Sequence, residues 1–245
     1  MESSSYEIEA EVESDHWWFV GRRRMFSRLI QDLGIGQDAA VLDIGTGTGS
    51  NLRMLRETGF KTVTGLDAND EAIRYCRDKG LGAVEKGDIR ALPFADGVFD
   101  LVLATDIIEH VDDDVGALSE ARRICQADGK VIVTVPAFQF MWGSQDDLSH
   151  HRRRYRKSQL LVAIGAAGLE PVQAHYFNYL LFGPIWLART LIRAAGKERV
   201  NENRINHPLI NRILTWIFDL DVRTAPLLSP PFGASILVVA RRAKP

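Results

Sequence analysis

The sequence predicts an α/β fold, with a parallel sheet covered by helices on both faces. Three observations carry that prediction. Short apolar runs that end in turn residues alternate with stretches of helical spacing. Two of the runs, "FDLVLA" and "KVIVTV", are almost unbroken, as strands buried on both sides tend to be. The stretch "VLDIGTGTGS" joins an apolar run to a helical one through three glycines, a turn that takes a strand directly into a helix.

The elements follow in chain order. Residues 1–15, "MESSSYEIEAEVESD", are acidic and polar, without the basic start and apolar run of a secretory leader. "HWWFVGRRRMF" (16–26) reads as a helix whose aromatics, Trp17, Trp18 or Phe19, pack on the sheet while an arginine points inward. Residues 1–38 are expected to form a helical lid. Strands are predicted over 39–45, 61–67, 82–88, 99–105 and 130–136, with helices over 51–58, 70–79 and 115–125 between them. Residues 137–157 have no period and read as a long functional loop. Ser158 suits the cap of a helix that Gly168 ends. "EPVQAHYF" and "SILVVARR" (235–242) are the remaining strands.

Residues 39–177 and 233–245 thus form the main domain, and 178–232 a helical insertion before the last strand. In "GPIWLARTLIRAAGK", Pro184 fits a first helical turn. Arg189, Arg193 and Lys197 share one face there, with Leu187, Leu191 and Ile192 turned away. That basic face is a candidate for peripheral membrane contact through 184–197, the alternative being a helix packed on the domain with its basic face in water. "HPLINRILTWIFDLD" reads as amphipathic, with Ile210, Ile213, Leu214 and Ile217 on one stripe. The apolar stretch 176–188 is too short to span a bilayer comfortably, and Gly183-Pro184 interrupts it.

The net charge of this 245-residue chain is only −2 and its pI near 6.3, which argues against a general nucleic-acid binder. Cys76 and Cys125 form no CxxC pair, so neither a disulfide framework nor a zinc knuckle is expected, and the cytoplasm is the default location. The oligomeric state is not legible from composition.

The spacing of "GTGTG" is GxGxG, preceded by Asp43, rather than the GxGxxG of pyrophosphate binders. Asp67 ends the second predicted strand, where a carboxylate can accept both hydroxyls of a ribose. Asp88 ends the third, where it can accept from an adenine amino group while Ile89 packs the ring. Acids at the ends of three successive strands point to one crevice.

The stretches "VLDIGTGTGS", "VTGLDAN", "GDIRALPFADGVFDLVLATDIIEHV" and "ARRICQADGKVIVTVP" together resemble the successive motifs of class I S-adenosylmethionine-dependent methyltransferases. Within that family they are most similar to the small-molecule branch that includes ubiquinone-biosynthesis-type enzymes. The resemblance covers about residues 39–136. It implies a Rossmann-like, mostly parallel seven-stranded sheet whose last strand, "SILVVARR", runs antiparallel. It implies S-adenosylmethionine as cofactor, with S-adenosylhomocysteine as product. Asp43, Gly45, Thr46 and Gly47 would surround the methionine part, Asp67 with Ala68 the ribose, and Asp88 with Ile89 the adenine. Asp106 would face the methyl group or the acceptor.

Methyl transfer needs an aligned nucleophile and, for a hydroxyl, a base. His110, His150 and His151 are the candidates, since histidine titrates near neutrality. Arg22 or Arg23 would neutralise the cofactor carboxylate. "DDLSHHRRRYRK" (146–157) packs two histidines and four arginines into one segment after the fifth strand, on the ligand side of the sheet. Arg152, Arg153, Arg154 and Tyr155, with Trp18, are therefore candidates for binding an anionic acceptor, with at least one of the arginines pointing inward and others at the surface or structural. "DDD" (112–114) reads as a helix cap with dipole partners, and no metal is expected. The expected activity is methyl transfer to oxygen or carbon of a small anionic or lipid-linked metabolite. The alternatives are a nucleotide-dependent oxidoreductase and a non-catalytic cofactor-binding regulator.

Overall fold

The computed structural model describes residues 3–194 and 207–243. Its strands are β1 (Ala40–Ile44), β2 (Thr62–Asp67), β3 (Val84–Lys86), β4 (Phe99–Thr105), β5 (Cys125–Pro136), β6 (Leu169–Phe177) and β7 (Ser235–Arg242). They form one sheet in the order β3-β2-β1-β4-β5-β7-β6. The first five are mutually parallel, and β7 runs antiparallel between β5 and β6. Strand order reverses between β1 and β4, so their carboxyl ends diverge and open a crevice.

Alternation along the strands divides the core in two. Leu42, Val102, Val131 and Val133 face one side, under α5 (Asp114–Ile124) and α7 (Lys157–Ala166). Val41, Leu101, Leu103 and Ile132 face the other, under α2 (Trp17–Asp32), α3 (Ser50–Glu57), α4 (Asp70–Asp78) and α9 (Pro208–Leu228). Helix α1 (Ser3–Val12) precedes α2, and α8 (Phe182–Ala194) precedes α9. The predicted loop 137–157 contains a 3₁₀ turn at Gln139–Met141 and a short helix α6 (Ser144–Leu148). Sequence periodicity misses both because neither is long enough to show one.

Helix α2 is more than a cover. Met25, Phe26 and Ile30 are buried in the same core as Val41 and Ile132. Helix α9 belongs to that core too, through Phe218 and Ala225. The stripe of Ile210, Ile213, Leu214 and Ile217 does not face it: Ile213 is 50% exposed, whereas Asn211, Thr215, Phe218 and Asp221 are buried. The inward polar residues serve backbone groups that would otherwise be unpaired. Asp221 accepts from the amides of Asn178 (2.6 Å) and Leu180 (2.8 Å), and Asn211 from that of Trp17 (3.4 Å).

The basic face of α8 also differs from expectation. Arg189 donates to the carbonyl of Met141 (2.7 Å), and Arg193 to that of Trp142. These arginines hold the helix on the 139–146 segment, while Trp186, Leu187 and Leu191 are exposed. Lys197 lies outside the described residues. Among the described residues no helix is long and apolar enough to cross a membrane.

Gly21 lets α2 and α9 approach closely. A methyl group at its Cα would stand 2.4 Å from Cδ1 of Phe218. Alanine improves helix propensity by about 1 kcal/mol, but overpacking costs about 1–3 kcal/mol. Gly21→Ala is therefore expected to lower the melting temperature, and Phe218→Leu in the same chain to restore part of it. An unchanged melting temperature in the single variant would mean that Phe218 moves aside freely.

Candidate active site

The glycine turn forms the floor of the crevice. Gly45 and Gly47 adopt φ of +74° and +52°, and Gly49 adopts +91° as the cap of α3. A side chain on Gly45 would strike Ile107 at 2.7 Å, whereas the space above Gly47 is open. The turn is held by the carbonyl of Leu66, which accepts from the amides of Gly45 (2.7 Å) and Thr46 (3.2 Å). Asp67, at the end of β2, accepts from the amides of Gly47 (3.0 Å) and Asn69 (2.9 Å).

Asp43 is fully buried at the end of β1. One oxygen accepts from Asn51 (3.0 Å), and the other has no partner among the described residues. Burial pushes its carboxyl up to about 7, against the opposing bond from Asn51. Glu9, from α1, lines the crevice and is also pushed up to about 7, by burial and then by Glu13. Glu13 itself bonds Thr48 and pairs with Lys79 (2.7 Å), tying α1 to the glycine turn and to α4.

Arg22 and Arg23 both reach the crevice from α2 but do different work. Arg22 pairs with Asp106 and lies over the rings of Trp18 (5.2 Å) and Phe26 (5.3 Å). Burial lowers it to about 10 despite the nearby acids Glu109, Asp43 and Glu9. Asp106 adopts a left-handed φ of +52° just past β4, a conformation that costs a non-glycine residue of order 1 kcal/mol. That turn aims its carboxylate at Arg22. Arg23 bonds Ser50 (3.0 Å) at the start of α3 and the carbonyl of Glu13 (2.6 Å).

The segment 149–155 does not present its cations as a group. Arg152 bonds the carbonyl of His110 (2.9 Å) and pairs with Asp112 (2.8 Å). Arg153 bonds the carbonyl of Asp112 (2.8 Å) and pairs with Asp114 (3.3 Å), and the Tyr155 hydroxyl donates to Asp114 (2.8 Å). These three residues fasten the loop to the 110–114 turn and do not line the crevice. His150, at φ +57°, is also outside the lining. Asp113 caps α5 by accepting from Gly116 (2.8 Å), so the "DDD" acids are spent on a cap and on these ties.

Arg154 does turn inward. It is buried, donates to Asp146 (2.8 Å) and to the carbonyl of Ala137 (2.9 Å), and lines the crevice. Asp146 also accepts from Nδ1 of His151 (2.8 Å) and the amide of Gly143 (2.7 Å). Burial opposes its charge, yet His151, Arg154 and Arg189 hold it well below the usual carboxylate range. His110 stands edge-on to His151, ring centres 4.7 Å apart. Burial, then His151, lowers it to about 3. Glu109, between them in the crevice wall, is fully buried and pushed up to about 8 by that burial.

These groups surround a cavity of about 310 Å³. Of the residues singled out in the sequence, Gly45, Thr46, Gly47, Arg22, Arg23, Trp18, Asp106, His110, His151 and Arg154 line it. Asp43, Asp67, Ala68, Asp88 and Ile89 lie outside the lining. Asp88 is 43% exposed at its side chain and clasped by Arg90 (Nε at 3.0 Å), so it is not a free acceptor. Sequence reasoning missed Glu109, Glu9 and Asp146. The first two carry no spacing signal, and Asp146 reveals itself only by standing five residues before His151.

A Rossmann-like sheet with β7 antiparallel, a GxGxG turn at its switch point and acids at successive strand ends define a class I S-adenosylmethionine-dependent methyltransferase. The chain belongs to that class, and S-adenosylmethionine is its cofactor. Residues 42–133 match the family described as a methyltransferase domain. The chain is 28% identical to the malonyl-[acyl-carrier protein] O-methyltransferase of Pseudescherichia vulneris, over 77% of this chain and 76% of that one. It is 31% identical to the demethylmenaquinone methyltransferase of Tropheryma whipplei strain Twist, over 41% of this chain and 43% of that one. In fold it is similar to a solved complex of the Haloferax volcanii Trm112 methyltransferase activator and a methyltransferase. That likeness has a TM-score of 0.66 at 19% identity and covers 99% of this chain and 96% of the other.

Proposed function

We propose that the protein methylates oxygen or carbon of a small metabolite with an anionic head and an apolar or lipid-linked body. The observation that carries this reading is the mixed lining of the cavity. Its lining joins the apolar Trp17, Trp18, Phe19 and Ile185 with the titratable and basic His110, His151, Arg154 and Arg189. The relatives named for malonyl-[acyl-carrier protein] and demethylmenaquinone acceptors support a small-molecule substrate.

In this reading the cofactor's methionine part lies along Gly45–Gly47, with its ammonium on Asp43. Arg23 meets its carboxylate, since Arg22 is committed to Asp106. Asp67 with Ala68 holds the ribose, and Ile89 packs the adenine, while Asp88 must first part from Arg90. The fixed cavity aligns acceptor and methyl group, which supplies roughly 7–11 kcal/mol in favourable cases. A lipid-linked acceptor would arrive along α8, which carries Ile185 inside the cavity and Trp186, Leu187 and Leu191 outside. The apolar face, rather than the arginines, would rest on lipid.

The test is release of S-adenosylhomocysteine across a panel of acyl thioesters, lipid-linked phenols and nucleic acids, with liposome co-sedimentation alongside. Turnover is expected with an amphiphilic acid or phenol and not with nucleic acid. Cofactor binding without turnover on any of them would favour the regulatory alternative. Absence of sedimentation at low salt would remove the lipid contact.

A further inference from the structure

We propose that Glu109, His110 and His151 bind one divalent transition-metal ion at the acceptor end of the cavity. Each side chain offers one ligand atom, and these atoms lie within 4.8 Å of one another. Two imidazoles and one carboxylate form a donor set suited to zinc, manganese or iron(II), with positions left open for water or substrate.

Three features converge on a cation. Glu109 is fully buried, and neither of its oxygens has a hydrogen-bond partner among the described residues. A buried carboxylate without donors is costly, and an ion ligated by it removes that cost. Second, His151 is already oriented as a ligand. Its Nδ1 donates to Asp146 at 2.8 Å, which leaves Nε2 facing Oε1 of Glu109 at 3.9 Å. A carboxylate behind a histidine is the usual outer support of a metal-bound imidazole. Third, Glu109, His110 and His151 all line the cavity that holds Asp106 and the glycine turn. The nearby guanidiniums of Arg22 and Arg154 are paired with Asp106 and Asp146, so their charge is partly met.

The inference rests on the proposed acceptor site and narrows its chemistry to oxygen. An acceptor hydroxyl would bind the ion as its oxyanion, its proton passing to water. The oxyanion attacks the methyl carbon; the O–C bond forms as the C–S bond breaks. The electron pair returns to sulfur and gives S-adenosylhomocysteine.

Chelator-treated protein is titrated calorimetrically with Zn²⁺ and with Co²⁺, the latter also followed by visible absorption. One ion per chain is expected, with Co²⁺ ligand-field bands. Glu109→Gln and His151→Gln, each checked for folding by circular dichroism, should abolish stoichiometric binding. Asp146→Asn should weaken it about 10–100-fold. No bound ion, or a folded Glu109→Gln or His151→Gln variant that binds like the parent, overturns the site. S-adenosylmethionine affinity and acceptor turnover are measured on the same chelated samples. Turnover without an ion would remove the metal and leave the proposed function standing; loss of cofactor binding would count against the function instead.

Discussion

S-adenosylmethionine is expected to bind roughly tenfold more weakly at pH 6 than at pH 7.5. The cause is Asp43, whose carboxyl burial pushes up to about 7. Proposed to meet the cofactor's ammonium, Asp43 must be ionised to do so. Binding of a cation favours the charged form, so the bound carboxyl titrates at lower pH than the free one. Affinity is then fully present above about 7 and falls as pH drops through the free value. The charged groups acting on Asp43 are Asp67, which raises it further, and Arg22, which lowers it. Calorimetry between pH 6 and 7.5 reads the effect, and Asp43→Asn should flatten the Asp43 contribution and weaken binding throughout. A flat profile in the parent would remove Asp43 from the ammonium.

The same group acts on stability with the opposite sign. Its folded pKa lies above its unfolded one, so the folded chain holds the proton more tightly between about pH 4 and 7. Its contribution is present below that window and is lost as pH rises through about 7. Cofactor reverses the trend by accepting the charge. The rise in melting temperature on adding S-adenosylmethionine should therefore be larger at pH 7.5 than at pH 6.

Asp146→Ala is expected to lose about 3–5 kcal/mol of stability, because it removes one partner of the buried Arg154–Asp146 pair. The Gly143 amide and the His151 Nδ1–H lose their acceptor in the same step. Arg154→Met in the Asp146→Ala background should recover part of the loss, since removing both partners of a buried pair is far less costly than removing one. Chemical denaturation of the parent and of the two variants reads this. A loss under about 1 kcal/mol in Asp146→Ala would show that the loop does not depend on that carboxylate.

Most of the sheet was legible because its central strands β1, β4 and β5 carry apolar runs cut off by turn residues, and β7 gave the antiparallel ending that the family resemblance implies. The glycine turn was legible because only glycine takes φ of +52° to +91° three times in five residues without strain. Which residues of "SHHRRRY" turn inward was not legible, because their partners lie forty residues earlier in sequence. Arg152, Arg153 and Tyr155 look like a cationic patch until Asp112 and Asp114 fold against them. Helix α9 misled for a related reason. Its inward face was chosen by the amides of Asn178, Leu180 and Trp17 that needed acceptors, and periodicity carries no record of such needs.

Helix α1 is held by its buried Tyr6 and Val12 and, just past its end, by Glu13, which reaches Thr48 in the glycine turn and Lys79 at the end of α4. The turn proposed to receive the cofactor is thus also an anchor of an outlying helix. Cofactor bound on the turn, as proposed, is expected to tighten that anchor, so the deuterium uptake of the backbone amides of residues 6–13 should fall when S-adenosylmethionine is added.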